Sequence, residues 1–273
     1  MSSVSRTQSG DFAPASPRLE IRVAQETPSD ESSAIKTWAD PAVALEGLHF
    51  RWQGQDVDTL FIRRFTMAQG EQLFISGPSG SGKSTLLGLI AGILTPTRGS
   101  ITVQGESIQA LSSAERDRFR GDHIGFIFQQ FNLVPYLSIV ENVLIPVRFS
   151  KRRLSRACLS GQSPEQTAEE LLRRLDLAPS LWSRPVNRLS IGQQQRVAAA
   201  RALIGDPELI IADEPTSALD TNRREAFLQL LLEACERRKT SLLFVSHDVS
   251  LAHSFPARIS MAELNEAHRE EEA

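Results

Sequence analysis

Residues 77 to 84 read Gly-Pro-Ser-Gly-Ser-Gly-Lys-Ser, which places Gly77, Gly82, Lys83 and Ser84 in the spacing G-x-x-x-x-G-K-S/T. Residues of these types at this spacing suit the holding of phosphate. Glycines let successive backbone N–H groups turn inward with no Cβ in the way. Such N–H groups, followed at once by a helix N-terminus, make an anion site. Pro78, Ser79, Gly80, Ser81 and Thr85 complete the stretch that would wrap the phosphates. Lys83 can reach the outer phosphates, and the Ser84 hydroxyl is a hard oxygen donor for Mg²⁺. A flexible turn before a core helix could share the glycines and serines. It would not need the Lys-Ser pair between an apolar run and a helical pattern. Kinases, GTPases, motors and transporters all use such a loop, so the remaining residues must discriminate among them.

A second group closes the apolar run in "ELIIADEPTSALD". Asp213 at the end of that run can hold Mg²⁺ through water, and Glu214 beside it can accept a proton from an attacking water. An acidic pair after a core strand is often only a solvated surface; a phosphate loop upstream gives this one a partner.

Both groups need elements to position them. "VALEGLHFRW" and "TLFIRRFTM" read as strands, and "QLFIS", "ELIIAD" and "SLLFVS" as short buried strands of parallel type. Helical patterns follow the loop in "KSTLLGLIAGIL" and recur in "SPEQTAEELLRRLDL", "GQQQRVAAARAL" and "NRREAFLQLLLEACERR". Strands alternating with helices predict an α/β domain. Residues 1–40 are rich in Ser, Pro and polar residues without an apolar period, and are expected to be a disordered leader. The domain is expected to span 41–262, with residues 263–273 as a solvated acidic tail.

"RLSIGQQQRVAAARAL" narrows the choice. Together with the phosphate loop and "ADEPTSALD", it makes the sequence resemble the ATP-binding cassette (ABC) family, whose signature is usually LSGGQ. The resemblance covers roughly residues 43–260. It implies a P-loop NTPase (RecA-like) core with an antiparallel β-subdomain and an α-helical subdomain at about 130–188. It implies ATP and Mg²⁺ as ligands. It further implies that Ser190, Gly192 and Gln193 cap the γ-phosphate bound to a second subunit. Gln129 in "FIFQQFNL" becomes the glutamine that senses Mg²⁺ and the lytic water, and Asp220 in "SALD" an interface aspartate. His247 in "FVSHD" becomes the histidine that contacts the γ-phosphate. Trp52 stands where the family's adenine-stacking aromatic lies, with His49 and Phe50 as alternatives of shifted register. Ile191 replaces the first glycine of the usual pair. Because a β-branched residue disfavours positive φ, ordinary backbone angles are expected there, with Ile191 turned away from phosphate.

One cassette per chain implies a dimer with two shared sites. The wording "FQQFNLVPYLSIVENV" resembles the branch of lipoprotein-releasing LolD and macrolide-exporting MacB ATPases, which pair with FtsX-type permeases. The resemblance thus implies a separately encoded integral-membrane partner and a peripheral place on the cytoplasmic face of the inner membrane, in export or in lipoprotein or envelope work. The alternative is mechanical or regulatory signalling through an FtsX-like partner. DNA-repair cassettes carry a long coiled-coil insertion between phosphate loop and acidic strand, for which this interval is too short. Translation-associated cassettes usually carry two copies per chain. The formal net charge of −3 argues against a nucleic-acid partner. Two cysteines without paired spacing argue against a disulfide framework or zinc site. There is no apolar run of membrane-spanning length and no secretory leader pattern.

Overall fold

The computed structural model describes residues 41–159 and 161–267; the expected leader and residues 268–273 lie outside the described residues. In chain order the strands are β1 (Val43–Phe50), β2 (Leu60–Met67), β3 (Gln72–Ser76), β4 (Arg98–Val103), β5 (Glu106–Ser107), β6 (Ile124–Ile127), β7 (Leu209–Asp213), β8 (Ser241–Ser246) and β9 (Ala257–Ser260). The helices are α1 (Lys83–Ile90), α2 (Ser113–His123), α3 (Ile139–Phe149), α4 (Lys151–Ala157), α5 (Pro164–Arg174), α6 (Ile191–Leu203), α7 (Thr221–Arg238) and α8 (Met261–Leu264).

Four strands form an antiparallel sheet in the order β2-β1-β4-β5. In β1 the burial alternates from Val43 to Leu45, then changes phase, so that Leu48 and Phe50 are the next inward residues. The pairing with β4 explains the change. Glu46 lies opposite Ser100 and His49 opposite Arg98, so Gly47 and Leu48 together face Gly99 in a β-bulge. Gly99 has φ +85°, and a Cβ there would lie 2.1 Å from the Gly47 carbonyl oxygen. Only a residue without a side chain lets the two backbones approach so closely.

The second sheet runs β6-β7-β8-β3-β9 with every neighbouring pair parallel. Its central strands β7, β8 and β3 are buried on both faces, as a parallel sheet between helices requires, and all six residues of β8 are buried, whereas the edge strand β9 is partly exposed. Period-two alternation divides the side chains between two cores. Phe74, Ile210, Ala212, Leu242 and Phe244 join a core with α3, α5, α6 and α7. Leu73, Ile75, Leu209, Ile211, Leu243 and Val245 face the other way, onto α1 and the antiparallel sheet. The parallel register brings Ser76 beside Ser246 and Asp213 beside Val245. The carboxyl ends of β3, β7 and β8 therefore finish side by side, where ligands bind in open α/β sheets.

Helices α3, α4 and α5 fall within the stretch expected to be helical. Ser138 and Ser163 cap α3 and α5 with reciprocal capping boxes. Arg153 of α4 is buried and donates from Nε to the Ile204 carbonyl (2.8 Å) and from a terminal nitrogen to that of Ala202. It thereby satisfies carbonyls that the end of α6 would otherwise leave bare. Glu208, just before β7, gathers His123 of α2 (3.1 Å) with Arg152 and Arg156 (2.6 Å) of α4. Burial alone would raise its pKa, but hydrogen bonds from His123 and Arg152 and the nearby positive charge outweigh burial and hold the carboxyl at about 2.

The expected acidic tail begins too early. Residues 263–267 are folded: Leu264 and Ala267 are buried, and Asn265 accepts from the Phe61 N–H (2.9 Å) while donating to the Thr59 carbonyl (3.0 Å). The chain is held to the open edge of β2 by Asn265, by the Glu266 N–H donating to the Phe61 carbonyl (2.8 Å) and by the Arg63–Glu266 ion pair, partners too distant in sequence for composition to reveal. Among the described residues no helix is long and apolar enough to cross a membrane.

Two stability predictions follow from these contacts. Gly99→Ala is expected to cost roughly 2–5 kcal/mol from backbone overlap and positive-φ strain; urea unfolding within about 0.5 kcal/mol of wild type would refute the bulge contact. Because the folded pKa of Glu208 lies below its ordinary 4.5, its stabilising effect is complete above about pH 4.5 and fades as pH falls toward 2. The stability gap between wild type and Glu208→Gln should accordingly narrow over that window, and a gap independent of pH would count against the ion cluster.

Candidate active site

The loop between β3 and α1 turns on Gly82, which has φ +92° and leaves no room for a Cβ: one would lie 2.7 Å from Leu60 Cδ2. Gly77 is equally confined, with Ser81 Oγ at 2.7 Å and Met261 Cβ at 2.9 Å from the place of a Cβ. Lys83 opens α1 with its ammonium group buried. That group donates to the carbonyls of Gly77 (2.8 Å) and Pro78 (2.7 Å) and stands 3.5 Å from Glu214 Oε1. These three oxygens match the three donors of a lysine. Pro78, Ser79 and Gly80 are exposed at the loop tip, and Thr85 is half-buried behind it.

Ser84, one residue on, donates its hydroxyl to Asp213 Oδ2 (2.9 Å) across the gap between α1 and β7. Burial raises the Asp213 carboxyl above its ordinary range; the Ser84 hydrogen bond opposes this, and the charge of Glu214 adds to it. Glu214 takes a left-handed backbone (φ +44°) while its N–H continues the sheet by donating to the Val245 carbonyl (2.9 Å). A non-glycine residue there is strained, which is common where geometry serves chemistry. His247, directly after β8, sets Nδ1 2.8 Å from Glu214 Oε2. The Glu214 carboxylate thus lies between an ammonium and an imidazole.

Five of the residues singled out in the sequence therefore meet: Lys83, Ser84, Asp213, Glu214 and His247. Gln129 lies exposed in the turn after β6, also at a strand's carboxyl end. Among His49, Phe50 and Trp52, the tryptophan presents the most exposed ring, 44% accessible and edge-on to Phe50 at 5.0 Å. His49 instead stacks on Phe61 and pairs with Asp58. Ser190 caps α6 with a reciprocal capping box to Gln193, and Asp220 caps α7. Among the described residues no hydrogen bond or ion pair joins Ser190, Gly192, Gln193 or Asp220 to the five-residue cluster. Ile191 is the first residue of α6, is half exposed and has no positive φ, as its side-chain branching requires.

The site fits a phosphate and a small hard cation. The loop packs its backbone at Gly77 and Gly82 against Ser81, Met261 and Leu60 more closely than any side chain allows, and Ser81 Oγ in it is a buried oxygen without a hydrogen-bond partner. Ser84 and Asp213 offer adjacent oxygen donors. Among the described residues no three His, Cys, Asp or Glu side chains group to hold a metal alone. One carboxylate and one hydroxyl instead suit Mg²⁺, which is usually held by few protein oxygens together with phosphate and water.

Sequence reading missed Arg201 and Arg224. Arg201, buried on α6, donates to the carbonyls of Phe131 (2.5 Å) and Asn132 (2.7 Å), two residues of positive φ just after Gln129. Arg224 joins two loops of the site and is taken up below. A single arginine in a helix carries no sequence signal for such partners.

Comparison with known proteins identifies the family. The ABC transporter family profile matches residues 62–217. The ABC transporter ATP-binding protein MJ0796 of Methanocaldococcus jannaschii is 41% identical over 203 residues, which is 74% of this chain and 84% of that protein. The lipoprotein-releasing system ATP-binding protein LolD of Cytophaga hutchinsonii is 40% identical over 205 residues, 75% of this chain and 90% of that protein. A dimeric structure of the MJ0796 cassette in a post-hydrolysis state with ADP and Pi superposes with a TM-score of 0.70 at 35% identity, covering 82% of this chain and 95% of that one. With the family profile matching residues 62–217 and relatives of 40–41% identity over about three quarters of the chain, the chain belongs to the ABC transporter family, as its ATP-binding, ATP-hydrolysing subunit.

Proposed function

We propose that this subunit binds Mg·ATP between two copies of itself and uses hydrolysis to drive a separately encoded membrane permease. The observation that carries the reading is the junction of Lys83, Ser84, Asp213, Glu214 and His247 at the carboxyl ends of three neighbouring strands. In this reading the loop from Gly77 to Thr85 wraps the phosphates, and Lys83 neutralises charge on the outer ones. Ser84 and Asp213, with Gln129 from the neighbouring strand end, hold the cation. When bound, Mg²⁺ supplies charge neutralisation across the outer phosphates. Glu214 accepts the proton of the attacking water, and His247, already paired with it, orients the carboxylate and faces the γ-phosphate. Trp52 stacks on the base.

Ser190, Gly192 and Gln193 would complete the site of the second copy. The Ser190 cap leaves the N-terminus of α6 well formed and exposed, which is what an anion arriving from outside requires. Asp220 would stand at the same junction. The dimeric cassette among the similar structures supports this arrangement. Similarity to LolD proteins favours lipoprotein or envelope work, with an FtsX- or MacB-type permease and a peripheral place on the cytoplasmic face of the inner membrane. The segment from Gln129 through α5 would receive that partner; Tyr136 and Phe149, strongly exposed there, are apolar points of contact.

Two variants test the chemistry. Glu214→Gln is expected to lower phosphate release by about 10²–10⁴-fold while retaining ATP and accumulating dimer in size-exclusion runs with ATP; turnover near wild type would remove Glu214 from the role of base. Lys83→Ala is expected to abolish nucleotide binding in equilibrium titration, and unchanged affinity would reject the loop assignment. Co-purification of a permease from membranes tests the coupling.

A further inference from the structure

Arg224, in the first turn of α7, is largely buried and faces two loops at once. One terminal nitrogen donates to the Asp248 carboxylate, the other to the Leu219 carbonyl (3.0 Å). Asp248 follows His247 and is itself fixed: it accepts from the Ser250 N–H (3.0 Å) and hydroxyl (2.6 Å), and its N–H donates to Ser246 Oγ (3.1 Å). Leu219 ends two overlapping turns that begin at Glu214, closed by the Ser217 N–H to the Glu214 carbonyl (3.2 Å) and the Leu219 N–H to the Thr216 carbonyl (3.1 Å). Leu219 also lies against the start of α6, since a Cβ on Gly192 would be 3.7 Å from its Cδ2.

We propose that Arg224 is a positioning residue that ties the Leu219–Asp220 loop to the His247 loop, so that the subunit junction and the histidine paired with Glu214 move as one unit. This rests on the reading of Asp220 as a junction residue and of Glu214 as the base. A closed circuit carries it: Glu214 through two turns to Leu219, through Arg224 to Asp248, and back through His247 to Glu214. Arginine suits the task because its planar fork meets a carboxylate and a carbonyl together, which a point-charge ammonium does less well. Arg224 touches neither nucleotide nor cation in this scheme, so its loss should affect turnover more than binding.

The test measures steady-state ATP turnover of the full chain for wild type, Arg224→Met, Arg224→Lys, Asp248→Asn and the Arg224→Met/Asp248→Asn pair. Arg224→Met is expected to lower kcat roughly three- to thirtyfold, with KM for ATP within about twofold and a melting temperature close to wild type. Arg224→Lys should recover part of the loss, and the double variant should be no worse than the more severe single one, because both remove one interaction. Unchanged kcat in Arg224→Met and Asp248→Asn, losses that multiply in the double variant, or a fall in kcat that merely follows melting temperature would each overturn the proposal. Asp248→Asn serves if Arg224→Met does not fold. Wild-type turnover abolished by Glu214→Gln keeps the functional reading intact when Arg224 proves silent; a Glu214→Gln chain that still turns over overturns the functional reading and, with it, the coupling.

Discussion

Burial of the Lys83 ammonium is the constraint on which the site rests. A cationic group taken out of water must find acceptors or forfeit several kcal/mol. Lys83 finds two in its own loop and a third in Glu214. The loop must therefore curl back over its own lysine, which requires the backbone that Gly82 adopts. Glu214 must in turn reach in from another strand. One buried charge thus specifies the loop's shape and the approach of β7 to β3.

The parallel sheet makes that approach possible without further cost. In an antiparallel arrangement, strand ends that carry chemistry would alternate between opposite edges. Here β3, β7 and β8 run the same way, and their register places Ser76, Ser246, Val245 and Asp213 abreast. Residues far apart in sequence leave the sheet at one edge: Lys83 just past β3, Glu214 just past β7, His247 just past β8. The apolar strands are buried on both faces and so admit little sliding; a slip of one residue would exchange the two cores.

Around this rigid centre the polar ties are made by arginines. Arg153 closes the end of α6, Arg201 holds the backbone after Gln129, and Arg224 joins the loops after β7 and β8. Each reaches backbone carbonyls that irregular segments leave without a partner. Such ties hold loops in place while leaving the loops' own residues free to serve chemistry.

The amino-acid sequence by itself determined the phosphate loop, the acidic pair, the main strands and the signature stretch, because each is a local pattern of residue types at fixed spacing. Period and composition also placed α5, α6 and α7 close to their observed bounds. Tertiary structure alone decided which of those motifs meet. No local rule pairs Ser84 with Asp213 or Glu214 with His247; sheet order and register do. It also decided the bulge at Gly47, the roles of the arginines and the folded end at Asn265. Each of these depends on a partner distant in the chain, and a hydrogen bond to a backbone carbonyl leaves no mark on the sequence of the residue that supplies it.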